Sequence, residues 1–205
     1  MTPAHDDKAA VVLASASRTR AALLRNAGVA CLAEAAGIDE EELKHSLRAA
    51  GASAAEAAET LAELKAMKLS RRHGGTLVIG ADQMLACDDS WFDKPADLAA
   101  ARTQLIALRG REHELVSAVV VVRDGTRLWH HVDKARLAMR SFSDVFLESY
   151  LAAAGEAACR SVGAYQLEGL GVQLFERIEG DYFTILGLPL LPLLAFLRNH
   201  GVVPA

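Results

Sequence analysis

Leu13-Ala14-Ser15-Ala16-Ser17-Arg18-Thr19-Arg20 is the stretch that decides the fold. The apolar run Val11 to Ala14 leads into it, and a helical pattern from Arg18 to Asn26 leads out of it. Two hydroxyls and two guanidiniums therefore gather where a strand hands over to a helix. The first backbone N–H groups of a helix lack internal partners, and the helix dipole is positive at that end. Such a junction suits a phosphate group. The same residues also fit a plain helix cap at Ser17 with solvated arginines.

Outward from this junction, strand and helix patterns alternate. Gly28 is placed to end the first helix in a left-handed conformation. A short apolar run over 29–35 reads as a second strand, and the acidic group Asp39-Glu40-Glu41-Glu42 as a solvated face. Ser53-Ala54-Ala55-Glu56 fits a capping box that opens a helix to about Arg71, with Ala58, Leu61, Ala62, Lys65 and Leu69 along one stripe. Thr76 to Ala86 reads as a buried strand, followed by a turn over Cys87 to Ser90. A helix from about Asp97 to Gly110 places Leu98, Ala101, Leu105 and Leu108 on one face. Leu115 to Val122 and Thr126 to Arg140 form a hairpin about Asp124-Gly125. Ser143 caps a helix to about Ala154. A glycine-rich loop over 163–171 bears Glu168. A further strand, Val172 to Arg177, turns at Gly180-Asp181 into Tyr182 to Leu186, and Gly187-Leu188-Pro189 starts the last helix. Early alternation followed by hairpins predicts a mixed α/β sheet.

The 205 residues suffice for one substantial domain or two small lobes, and an apolar fraction of 52% supplies a core. A net charge of −4 provides no global basic field for a long nucleic acid. The three cysteines, Cys31, Cys87 and Cys159, lack metal-ligand spacing and fit a reducing compartment. No apolar run reaches the roughly 18 to 20 residues of a membrane span. Asp6 and Asp7 stand where a secretory leader would need positive charge, so a cytoplasmic location is expected.

Several residues stand out chemically. Asp82 lies inside an apolar strand, where an acid is a general base, a metal ligand or a structural acceptor. Lys65, on an apolar helical stripe, either snorkels to solvent or reaches an internal anion. Lys94, Glu40 and Glu168 are weak signals alone. The Gly-x-x-x-x-Gly-Lys-Ser/Thr loop, the His-Glu-x-x-His motif and the nucleophile elbow are absent, so a P-loop, a zincin and a serine hydrolase find no support.

Six motifs in order are far more specific than their parts. They are Leu-Ala-Ser-x-Ser-x-x-Arg at 13–20, Leu-Ala-x-x-Lys-Ala at 61–66, Gly-Ala-Asp-Gln at 80–83, Lys-Pro at 94–95, Gly-Ala-Tyr-x-x-x-Gly at 163–169, and Glu-Gly-Asp-Tyr with Gly-Leu-Pro-Leu at 179–190. Together they closely resemble the Maf family of nucleoside triphosphate pyrophosphatases over nearly the whole chain. The resemblance implies one Maf-like domain over 1–205, an elongated mixed β-sheet flanked by helices, and two lobes around a deep cleft, similar in outline to inosine triphosphate pyrophosphatases. It implies cleavage between the α- and β-phosphates with a divalent metal. Asp82 matches the family's proton acceptor, Lys65 and Lys94 its two lysines, and Ser15, Ser17 and Arg20 its phosphate-binding motif. Glu40 falls where the family places an acidic residue near the metal, so Glu40 and Asp82 are the implied metal pair. Oxygen ligands suit magnesium or manganese.

Thr19, Gln83 and Glu168 stand at the family's specificity positions. Gln83 and Glu168 resemble the subgroup acting on 7-methylguanosine triphosphate, whereas Thr19 replaces that subgroup's aromatic residue. A carboxylate can accept from guanine N1–H and N2 amine together, while a glutamine amide also suits the mixed edge of uracil or thymine. Thymidine or uridine triphosphate is therefore the competing substrate. The resemblance also leaves open a homodimer, and a division regulator acting by binding.

Overall fold

The structure is a computed structural model that describes residues 11–204; Asp6 and Asp7 lie outside them. β1 (Val11–Ala14) is followed by α1 (Arg18–Asn26), β2 (Cys31–Ala33), α2 (Glu40–Ala49), α3 (Ala54–Ser70), β3 (Leu77–Cys87) and β4 (Ser90–Phe92). Next come α4 (Leu98–Leu108), β5 (Glu112–Arg123), β6 (Thr126–Met139), α5 (Asp144–Ala154), β7 (Phe175–Glu179), α6 (Tyr182–Ile185) and α7 (Leu190–Asn199). The strands form one seven-stranded mixed sheet, ordered β2-β1-β3-β5-β6-β7, with β4 paired to β3. β1 runs parallel to both β2 and β3, and the pairs from β3 to β7 are antiparallel. The expected mixed α/β architecture is the observed one.

The register of β3 creates the main irregularity. β1 pairs with it up to Gly80, and the pairing of β3 with β4 starts only at Leu85, opposite Phe92. Between these points Ala81 to Met84 have β5 on one edge and no strand on the other. Successive side chains of a strand face opposite sides of the sheet. Asp82 and Gln83 therefore stand back to back beside this gap.

The core divides around the same strand. One apolar cluster joins Val11, Leu13, Ile79 and Val121 to α7, and another joins Val12, Val78, Met84 and Val120 to α3. A third gathers Leu85 and Cys87 with α4, α5 and the β6 end. Gly80 sets the closeness of α3. A Cβ at residue 80 would fall 2.0 Å from the Ala62 carbonyl oxygen and 2.9 Å from the Ala66 Cβ. This approach brings Lys65, one turn along α3, against β3.

The capping box at Ser53 and Glu56 and the Asp124-Gly125 turn form as expected; both turn residues have positive φ, as a type I′ hairpin requires. Four expectations are corrected. The acidic run at 39–42 is not merely a solvated face: Asp39 caps α2, accepting from the Glu42 N–H, and three carboxylates favour the positive end of the helix. Val172 to Leu174 belong to a 3-10 segment, because Gly171 packs against the Gln166 backbone and delays the strand to Phe175. Tyr182 to Ile185 form a helical turn rather than a strand. Gly180 takes φ 128 against Ala135, and the Asp181 carboxylate then accepts from the Thr184 N–H at 2.9 Å. Leu98 lies on the exposed side of α4, at its first turn, while Ala101, Leu105 and Leu108 are buried.

Candidate active site

Asp82 and Lys65 are both buried, at 4% and 5% exposure. Lys65 Nζ donates to Asp82 Oδ1 at 2.5 Å and lies 2.8 Å from Glu40 Oε1. Asp82 comes from β3, Lys65 from the face of α3 that Gly80 admits, and Glu40 from the first residue of α2. The second oxygen of Asp82, Oδ2, is buried and has no hydrogen-bond partner. A buried carboxylate oxygen left this way is costly unless something else meets it. Burial pushes the Glu40 carboxyl up, but the Lys65 charge and hydrogen bond, with Lys44 and Arg20, outweigh it and hold the group below its usual range.

Ser15, Ser17 and Arg20 form a bracket at the β1–α1 junction. Ser17 Oγ accepts from the Arg20 N–H at 3.3 Å, and Ser15 Oγ accepts from the Ser17 N–H at 3.2 Å. The Arg20 guanidinium reaches three acceptors. Nη1 donates to Ser15 Oγ at 3.1 Å and to the Ala81 carbonyl at 3.0 Å, and Nε donates to the Gly187 carbonyl at 2.7 Å. Arg20 thus seals the carbonyl that β1 leaves unpaired and ties it to the segment before α7. Burial lowers its pKa, against the opposing charges of Asp82 and Glu40. With Ser17 occupied by the Arg20 N–H, the N–H groups of Arg18 and Thr19 remain the helix donors without an intrahelical partner.

Lys94 follows β4 and is exposed as a residue, yet its charge is felt by Arg20, Glu40, Lys65 and Asp82. Partial loss of water lowers its pKa first, and the cations Arg20 and Lys65 act in the same direction; Glu40 and Asp82 oppose them. α2 and the β4 hairpin are clasped together by polar contacts, Lys44 Nζ to Asp93 Oδ1 and Arg48 Nη2 to the Asp89 carbonyl, each at 2.5 Å. The helix bearing Glu40 and the segment bearing Lys94 are therefore held side by side.

On the opposite face of β3, Gln83 Nε2 donates to Ser117 Oγ, the Thr184 carbonyl and the Ile185 carbonyl at 3.0 to 3.1 Å. The sequence reading missed Ser117, Thr184 and Gly187. A lone serine inside the apolar run 115–122 was the available signal for the first of them. Thr19 lies in the first turn of α1, and Glu168 is exposed in the loop after Gln166; neither makes a side-chain hydrogen bond to this group among the described residues.

No three His, Cys, Asp or Glu side chains converge as a metal-binding group among the described residues. Glu40 and Asp82 remain as a pair with Lys65 between them. The unpartnered Asp82 Oδ2 and the half-exposed Glu40 carboxylate are hard oxygen donors of the type that magnesium or manganese takes. No helix of the described residues is long and apolar enough to cross a membrane.

The family profile described as Maf-like protein matches residues 10–200. The chain is 60% identical over 190 residues to a protein of Paramagnetospirillum magneticum named nucleoside triphosphate pyrophosphatase, covering 93% of this chain and 98% of that protein. It is 58% identical over 193 residues to a protein of the same name from Rhodospirillum rubrum, covering 94% and 96%. A Rhizobium meliloti protein named 7-methyl-GTP pyrophosphatase is 52% identical over 198 residues, covering 97% and 100%. With that span matched and the six motifs in place, the chain belongs to the Maf family.

Proposed function

We propose that this protein is a nucleoside triphosphate pyrophosphatase, a hydrolase that cleaves the anhydride between the α- and β-phosphates to give a nucleoside monophosphate and pyrophosphate. The names of its relatives support the reaction class. The observation that carries the reading on this chain is Asp82, whose buried Oδ2 stands without a partner beside the open edge of β3.

In this reading Asp82 orients a water molecule and accepts its proton as the oxygen attacks the α-phosphorus. Lys65 holds the carboxylate through its Nζ contact with Oδ1, and meets phosphate oxygens along with Lys94 at the rim. Ser15, Ser17 and Arg20 shape the junction, so that the free N–H groups at the start of α1 and the Ser17 hydroxyl face the triphosphate. Pyrophosphate leaves with the charge spread over the same cations. Glu40 and Asp82 would hold a magnesium or manganese ion, which when bound neutralises charge on the phosphate oxygens.

For substrate we favour 7-methylguanosine triphosphate, with Gln83 and Glu168 reading the base and Thr19 beside it. The name of the Rhizobium meliloti relative supports this choice over thymidine and uridine triphosphates. The test is a panel of these triphosphates at equal concentration with magnesium and with manganese, following pyrophosphate release. Fastest release from 7-methylguanosine triphosphate is expected. Faster turnover of thymidine or uridine triphosphate overturns the substrate, and no release from any member overturns the reaction.

A further inference from the structure

The Gln83 amide is locked in one orientation. Its two N–H protons are shared among three acceptors: Ser117 Oγ at 3.0 Å, the Thr184 carbonyl at 3.1 Å and the Ile185 carbonyl at 3.0 Å. Two of these are backbone carbonyls, which can only accept. A flipped amide would set oxygen against oxygen twice, so the orientation follows from the partners themselves.

Ser117 completes the arrangement. It is fully buried, and its hydroxyl proton goes to the Thr184 carbonyl at 2.7 Å. A hydroxyl has one proton, so what it offers Gln83 is a lone pair. The 184–185 carbonyls are held in turn. Thr184 is fully buried, its hydroxyl donates to Asp133 Oδ2 at 2.7 Å, and its N–H donates to Asp181 Oδ1 at 2.9 Å. Gln83 itself is only partly buried. Its Oε1 lies next to residue 187, where an added Cβ would come within 3.6 Å of it and within 3.3 Å of the Arg20 guanidinium. Gly187 leaves that side of the oxygen uncovered.

From this arrangement we infer that Ser117, together with the Thr184 and Ile185 carbonyls, acts as a positioning element for specificity, presenting Gln83 to the substrate as a hydrogen-bond acceptor only. This rests on the reading of Gln83 as a base-facing residue. The consequence is chemical. A base can satisfy Oε1 only with a donor, and Glu168 as a carboxylate is likewise an acceptor. Guanine presents N1–H and N2 amine donors on its Watson–Crick edge, whereas adenine places an acceptor at N1. The mixed donor-acceptor role that a free glutamine could play for uracil or thymine is closed, because the amide protons are already taken. A site whose polar groups face the wrong partner loses binding steeply, since those groups are left buried and unpaired.

The test measures kcat and KM for 7-methylguanosine, guanosine, inosine and adenosine triphosphates with the wild type, Ser117→Ala and Ser117→Thr. Thermal unfolding is followed alongside. In Ser117→Ala, KM for the two guanosine substrates is expected to rise about fivefold, the loss of part of one hydrogen bond, with kcat within about twofold. Adenosine turnover is not reduced, so the guanosine-to-adenosine ratio falls; Ser117→Thr, which keeps the hydroxyl, restores it. An equal loss on all four substrates, or no change on any, overturns the positioning role. A wild type preferring adenosine also overturns it. Absence of pyrophosphate release from every substrate by the wild type would instead remove the reaction proposed above.

Discussion

Two polar clusters sit on opposite faces of the same strand, one residue apart, and they are built on opposite terms. Around Asp82 the groups are charged and one buried carboxylate oxygen is left without a partner. Around Gln83 the direct partners, the Ser117 hydroxyl and the Thr184 and Ile185 carbonyls, are neutral, and the amide protons, the Ser117 hydroxyl and the Thr184 N–H and hydroxyl are all satisfied within the protein. A saturated network fixes geometry and has nothing left over for chemistry, except at the one atom it leaves outward. An unsaturated charged cluster is unfavourable in isolation and reactive toward an incoming water or cation. The register of β3 makes both accessible from one side, because β1 has ended and β4 has not begun.

The contrast can be broken in order of size. Asp82→Asn should lower kcat by about 10³-fold, in the range of a lost proton acceptor, while far-UV circular dichroism stays unchanged. Lys65→Met should leave Asp82 buried without its counter-charge and cost about 3 to 5 kcal/mol in urea unfolding. The double variant Lys65→Met/Asp82→Asn should recover much of that stability without recovering activity. A double variant as unstable as the single one would show that Lys65 contributes packing rather than charge.

His113 supplies a control from outside both clusters. It is buried at 2% exposure, with Nε2 2.8 Å from the Tyr165 hydroxyl and Nδ1 unpartnered. Burial pushes its pKa down from 6.5 to about 4. In the folded protein it stays neutral, so the unfolded chain binds the extra proton. Its stabilising contribution is complete above pH 6.5 and is lost as the pH falls toward 4, amounting to about 3 kcal/mol. Titration of the His113 ring by NMR should give a midpoint near 4, and a midpoint near 6.5 would remove the effect. A smaller change is expected at the loop. Glu168→Gln should reduce kcat/KM for guanosine substrates by about tenfold and leave thymidine triphosphate little changed.

Much of this arrangement is legible in the residues themselves. Local signals did their part wherever cap, period and turn agreed: the strand-to-helix junction at Ser15–Ser17, the Ser53 box and the Asp124-Gly125 turn. Lys65 on an apolar stripe and Asp82 in an apolar strand each announced a need for a partner, and the structure makes them each other's. α2 is masked in the sequence by its run of acidic charge, although Leu43 and Leu47 stand one helical turn apart and Asp39 lies three residues before Glu42. The Tyr182 turn is not legible locally because its conformation is set by Gly180 meeting Ala135 on β6, a contact far away in sequence. Arg20 matches the family's phosphate-binding motif, yet its guanidinium is also committed to Gly187 and Ala81, and nothing local in the sequence points to either carbonyl.

The most direct test of the central claim is hydrolysis of 7-methylguanosine triphosphate in ¹⁸O-water by the wild type and by Asp82→Asn, with the label traced in the products. The account predicts one pyrophosphate per monophosphate, the label in the monophosphate, and almost no product from Asp82→Asn. Label in pyrophosphate or orthophosphate, or undiminished turnover by Asp82→Asn, would contradict it.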